Sequence, residues 1–183
     1  MSRVRQWPTM GPDGLTIRDE AAADQAAIHA VTADAFRDMP YSDGSEPEVI
    51  ARLRAAGALS VSLVAELEGV LVGHVAFSPA VAHDGSGPWF ALGPVAVAPA
   101  MHGRHIGSAL ITAGLAALEA QGALGCMLLG DAGYYTRFGF KPAPENAPSS
   151  VPAEHFMLRQ SGNHAPTGPL DYHPAFFGPV DTA

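Results

Sequence analysis

The residues of this chain best suited to chemistry stand in "PAMHGRHIGSALI", residues 99–111, where two histidines, Arg104 and two glycines lead into an apolar helical pattern. A helix start leaves several backbone N–H groups unpaired and carries partial positive charge, so a close-fitting turn there suits a phosphate. Arg104 adds a cation for a diphosphate. Taken alone, a turn of this kind more often starts a helix and binds nothing. His102 and His105 have no carboxylate or cysteine beside them, so they make a poor metal site and no metal is expected. Cys126, the single cysteine, sits in the apolar run "CMLLG" and reads as an inert core thiol rather than a nucleophile.

The elements that must position these residues follow from periodicity and punctuation. The first fourteen residues, rich in Pro, Gly and polar groups, read as a loose tail, and residues 15–183 as one domain. A strand begins near Leu15. Ala27, Ile28, Val31 and Ala35 then fall at helical spacing, with Asp24 placed to cap or open the helix. A second helix is expected from Pro47 to Ala56, stopped by Gly57. Two β-rich runs, 59–67 and 70–82, meet at Glu68 and Gly69, a pair suited to a tight hairpin. "FALGPVAVAP" reads as a strand buried on both faces. Ile106, Ala109, Leu110, Ala113, Gly114, Ala117 and Leu118 share one helix face, and Gly122 supplies a left-handed stop. "CMLLG" is a short buried strand parallel to the one before the helix. "DAGYYTRFGF" is a short helix capped by Asp131 and ended at Gly139. In the proline-rich remainder, "HFMLRQ" and "GPLDYHPAFF" are extended segments with apolar anchors.

The totals exclude several function classes. A chain of 183 residues with 48% hydrophobic and 15% charged residues can bury a real core. A formal net charge of −8 argues against nucleic-acid binding, which needs Lys and Arg against the phosphate backbone. No run of eighteen apolar residues exists to cross a membrane, and the N-terminus lacks the apolar stretch of a signal peptide. One cysteine allows no intramolecular disulfide, so a cytoplasmic setting is expected.

"LGPVAVAPAMHGRHIGSALITAGL" followed by "LLGDAGYYTRFGF" resembles the two central motifs of the GNAT superfamily of acyl-CoA N-acetyltransferases, especially its YhbS-like branch. The resemblance extends more loosely from about Leu15 to Phe177, through "GHVAFSP" and "DYHPAFF". It implies an α/β (α+β) fold with a mixed, mostly antiparallel sheet, central parallel strands that splay apart, and flanking helices. It also implies an acetyl-CoA cosubstrate. Val95 and Val97 would offer backbone groups to the pantetheine arm, while His102, Gly103, Arg104, His105, Gly107 and Ser108 would line the pyrophosphate turn. The family pattern has Gln or Arg where this chain has His102, and an inner Gly where it has His105. A right-handed helix-start conformation at His105 would need no glycine, and imidazole can donate to phosphate.

Acetyl transfer to an amine needs a neutral amine, a stabilised oxyanion and a proton for the leaving thiolate. A lysine-like amine is neutral in only roughly 0.04% of molecules at pH 7. The resemblance gives the proton-donor role to Tyr135 and leaves Tyr134 to packing. The strand before the turn holds no acid, so His74, on a strand face with Ala76 and Ser78, is the candidate base; it reads equally as a satisfied core histidine. Tyr172 and His173 are candidates for the acceptor pocket. The expected reaction is direct transfer to a primary amine of a small molecule or peptide. Self-association as a homodimer is common in the superfamily. The rival reading is a non-catalytic acyl-CoA-binding or regulatory domain of the same fold.

Overall fold

The structure is a computed structural model that describes residues 5–178. Its elements run β1 (Gln6–Trp7), β2 (Leu15–Asp19), α1 (Gln25–Phe36), α2 (Glu46–Ala55), β3 (Val61–Leu67), β4 (Val70–Ala82), β5 (Trp89–Val97), α3 (Ile106–Ala120), β6 (Gly125–Leu129), α4 (Ala132–Tyr135), β7 (Lys141–Pro142), β8 (Phe156–Gln160) and β9 (Leu170–Tyr172). The strands form one mixed sheet in the order β1-β2-β3-β4-β5-β6-β8-β7, and β9 pairs with the far end of β4. Every pairing is antiparallel except β5 with β6. The expected mixed sheet with one central parallel pair and flanking helices is therefore found.

Local chemistry accounts for most boundaries. Glu68 and Gly69 both have positive φ, 51° and 79°, the combination that lets a two-residue turn match the twist of β3 and β4. In α2, Glu46 and Glu48 occupy the first turn and Arg52 and Arg54 the last, each complementing the helix dipole. Asp131 accepts from the Gly133 N–H at 2.9 Å and caps α4 as expected. Asp24 stands at the N-cap position and opens α1, but its side chain makes no cap hydrogen bond there. Its carboxylate instead binds Arg18 at 2.7 and 3.0 Å and the Ala21 N–H at 2.8 Å, because a guanidinium from β2 outcompetes a helix N–H for a charged acceptor.

The stretch expected as a loose tail is in part a strand. Gln6 and Trp7 pair with Arg18 and Ile17, and Trp7 packs against the core. A large indole gains more from that burial than a short edge strand loses in chain entropy. Residues 1–4 lie outside the described residues. At the other end, Arg52 donates to the carbonyls of Ala175 and Phe176 and ties the C-terminal segment to α2.

Helices cover both faces of the sheet. On one, α3 lays Ile106, Leu110, Ile111 and Leu118 on Val75, Phe77 and Leu92. The approach is close enough that a Cβ on Gly114 would stand 2.1 Å from the Phe77 ring, so only glycine fits there. On the other, Ile28 of α1 and Ile50 of α2 pack on Val64 and Ala76. No described helix is long and apolar enough to cross a membrane.

Candidate functional site

The two parallel strands share only a short stretch. Trp89, Phe90 and Ala91 pair with Gly125, Cys126 and Met127, and there the pairing of β5 with β6 stops. Beyond it β6 stays with β8 through Leu128 and Leu129, while β5 stays with β4 through Val95, Ala96 and Val97. Three steps of β5, from Leu92 to Val95, span two steps of β4, from Phe77 to Val75. Such a bulge adds twist and bends the strand away from its neighbour. A wedge opens between β5 and β6. The strand expected to be buried on both faces is so only as far as Leu92; Val95 and Val97 are half-buried where the wedge widens.

The backbone of β5 points into this wedge at two of the expected positions. Ala98 N–H donates to the Val72 carbonyl on β4, at 2.8 Å. Strand residues alternate their hydrogen-bonding side, so Ala96 also turns to β4 while Val95 and Val97 turn to the wedge. The imidazole of His102 agrees: its Nε2 donates to the Val97 carbonyl at 3.0 Å, a contact open only from the wedge side.

At the mouth of the wedge the chain turns from β5 into α3. Pro99–Met101 form a single 3-10 turn, and His102, Gly103, Arg104 and His105 are exposed before Ile106 begins the helix. Gly107 and Ser108, half-buried, lie in the first helical turn, where N–H groups lack helical partners. The right-handed backbone expected at His105 is not found. Its φ and ψ are 61° and 15°, left-handed, so this histidine takes the conformation that favours glycine. The turn must reverse direction between β5 and α3 within a few residues, and Gly103, with φ 77°, and His105 together do so.

Helix α4 closes the far side. A Cβ on Gly107 would stand 3.4 Å from the Tyr134 hydroxyl and 3.6 Å from a Val97 methyl, so Tyr134 reaches the start of α3. Arg137 lies over the Tyr134 ring at 4.6 Å and donates to its backbone carbonyl. Tyr135 packs edge-on against Tyr134 and Phe140, with centroids 4.9 and 6.1 Å apart, and beside Gly130 at the end of β6. Burial pushes the Tyr135 phenol above its ordinary range, so it stays protonated at neutral pH. The arrangement is a cleft with unpaired backbone at its base and, at its mouth, helix N–H groups with the Tyr134 hydroxyl beside them.

The profile of the Acetyltransferase (GNAT) family matches residues 26–140. The chain belongs to the GNAT acetyltransferase family. It is 30% identical over 169 residues to the uncharacterised N-acetyltransferase YhbS of Escherichia coli K12, covering 88% of this chain and 98% of that one. Among solved structures, a GNAT family acetyltransferase from Brucella melitensis in complex with acetyl-CoA is 46% identical with a TM-score of 0.79, covering 88% and 97% of the two chains. Escherichia coli YhbS in complex with CoA is 26% identical with a TM-score of 0.78, covering 93% of each. The expectation of an acetyl-CoA-dependent N-acetyltransferase stands on that membership.

In this GNAT chain the other sequence candidates separate. His74 is fully buried on the sheet face toward α1 and α2, paired in register with Val64 and Ala96. Its Nε2 lies 2.8 Å from Ser62 Oγ and 3.7 Å from a Glu20 oxygen. Burial pushes its pKa down while Glu20 pulls the other way. Cys126 is buried at the closed end of the wedge, and burial pushes its thiol well above the ordinary range. Tyr172 pairs with Ala80, two residues along β4 from Ser78, the partner of Ala91 at which the wedge begins, and His173 caps the turn that follows it. Sequence reading missed the reach of Tyr134, because two adjacent aromatics give no sign of which ring faces which neighbour. It also missed Ser62 and Glu20, which lie 42 residues apart and meet only through strand pairing.

Proposed function

We propose that this chain transfers the acetyl group of acetyl-CoA to the primary amine of a small molecule or a peptide, by direct attack and without an acyl-enzyme. The observation that carries the reading is the divergence of β5 from β6 after Ala91, which leaves the Val95 and Val97 backbone facing a cleft whose mouth is a helix start. The extended pantetheine arm suits the strand edge, and the pyrophosphate suits the N–H groups at Gly107 and Ser108 with Arg104 beside them. His102, Gly103 and His105 frame the same turn. The acetyl-CoA complex of the Brucella melitensis relative supports the same ligand here. Tyr135 gives its proton to the leaving thiolate, and His74 takes one from the ammonium. Cys126, buried and held as a thiol, is unsuited to covalent transfer.

Thermal unfolding with and without acetyl-CoA tests the binding half. Ligand at one hundred times its dissociation constant stabilises a fold by about 2.7 kcal/mol. No shift at millimolar acetyl-CoA overturns the reading. Release of free thiol across an amine panel tests the transfer half. Tyr135→Phe is expected to lower kcat by about a hundredfold while leaving acetyl-CoA affinity unchanged. Equal turnover in the two proteins would remove Tyr135 as the acid.

A further inference from the structure

His102 stands where the strand edge and the helix start of the cleft meet. Its Nε2 lies 3.0 Å from the Val97 carbonyl, and a carbonyl only accepts, so the ring hydrogen is on Nε2. Ala98 N–H bonds to Val72 of β4, and Val97 pairs in register with Gly73. Alternation along the ladder then turns both the N–H and the C=O of Val97 away from β4 and into the wedge. His102 therefore takes the one carbonyl at the open end of β5 that a ligand laid along this strand would use.

Among the described residues no other side-chain hydrogen bond holds this ring. His102 is exposed, its backbone is ordinary extended chain with φ −61° and ψ 151°, and Gly103 follows in open space. Side-chain rotation alone can take the imidazole off Val97. Two residues on, the exposed Arg104 guanidinium forms no salt bridge among the described residues and has only the Met101 sulfur, at 3.7 Å, as a contact. The N–H groups of Ile106, Gly107 and Ser108 precede the first bond of α3, from Ala109 to His105 at 3.0 Å. A diphosphate at this turn would meet an uncommitted cation, a helix start and, once rotated, the His102 donor.

We infer that His102 is a specificity-determining residue that, by holding the Val97 carbonyl, selects thioesters of CoA over pantetheine thioesters that lack the diphosphate. The inference rests on the acetyl-CoA reading above, in which the Val97 backbone takes the pantetheine arm. Imidazole and arm both approach the carbonyl from the wedge, so an amide N–H of the arm bonds there only by displacing the ring. That displacement costs one hydrogen bond. With a diphosphate at the turn, the displaced Nε2–H donates to a phosphate oxygen, and a charge-assisted bond replaces a neutral one. Without a diphosphate the ring is left to water and the loss stands. His102 thus makes the strand site depend on the group bound at the turn.

Titration calorimetry of wild type and His102→Ala with acetyl-CoA and with S-acetylpantetheine tests this without any turnover. The variant is expected to bind S-acetylpantetheine about fivefold tighter, because the competing donor is gone. It should bind acetyl-CoA about threefold weaker, because a phosphate donor is gone. S-acetylpantetheine affinity that is unchanged or lower in the variant overturns the inference. Nitrogen–proton correlation NMR of the 15N-labelled wild type reads the ring directly, with the His102 signals assigned by their loss in His102→Ala. The Nε2 resonance should move on saturation with acetyl-CoA as its acceptor changes from carbonyl to phosphate. A resonance that stays in place overturns the inference even where S-acetylpantetheine binds too weakly to titrate. A wild type that binds no acetyl-CoA overturns the acetyl-CoA reading instead, so the two failures are told apart.

Discussion

His74 and His105 show two ways in which a histidine is held in one molecule. His74 lies fully buried in the sheet interior, its Nε2 2.8 Å from Ser62 Oγ, which also bonds the Glu20 carboxylate. His105 is exposed at the start of α3, and its imidazole makes no hydrogen bond to the described residues, yet its backbone is forced left-handed. In the first case the side chain is determined and the backbone is ordinary strand. In the second the backbone is determined and the side chain is incidental. Burial makes polar partners obligatory, whereas an exposed turn answers only to chain direction.

The largest test of that contrast is Glu20→Ala. It strips the anion from a half-buried Arg54 and from the Ser62–His74 pair, and the expected loss of unfolding free energy is about 3 kcal/mol, measured by urea denaturation. A loss near zero would mean that the interior cluster is as loosely held as the turn. Acidification probes the same carboxylate more gently. Its pKa is about 2 in the fold against an ordinary 4.5, so the stability it contributes is full above pH 4.5 and disappears as pH falls toward 2. Urea midpoints of wild type and Glu20→Gln should therefore converge across that window; parallel curves would place the acid sensitivity elsewhere. The smallest effect belongs to the turn. His105→Gly relieves a left-handed residue and should raise stability by about 1 kcal/mol in the same assay, with tighter acetyl-CoA binding. A loss of stability would show that the imidazole holds the turn after all.

Much of the fold is legible in the residues. The Glu68–Gly69 hairpin, the face of α3 from Ile106 to Leu118, the Asp131 cap and the strand at 156–160 all follow from local pattern. Each depends on contacts a few residues apart, which periodicity and punctuation record directly. The misreadings share a cause. Asp24 opens α1 but gives its carboxylate to Arg18, Trp7 reaches across to Ile17, and His105 turns left-handed to join β5 to α3. In each case a distant partner or a required change of direction outweighed local preference.

By itself the sequence determined the family and the order of the elements, because the motif around residues 99–111 and the aromatic run after Asp131 specify local backbone shape and chemistry together. Only the tertiary structure decided where β5 parts from β6, that the Tyr134 hydroxyl reaches the start of α3, and that Glu20, Ser62 and His74 form one chain of hydrogen bonds. Those features arise from pairing register and close packing between segments far apart in the chain, and a register is defined only once both partners are in place.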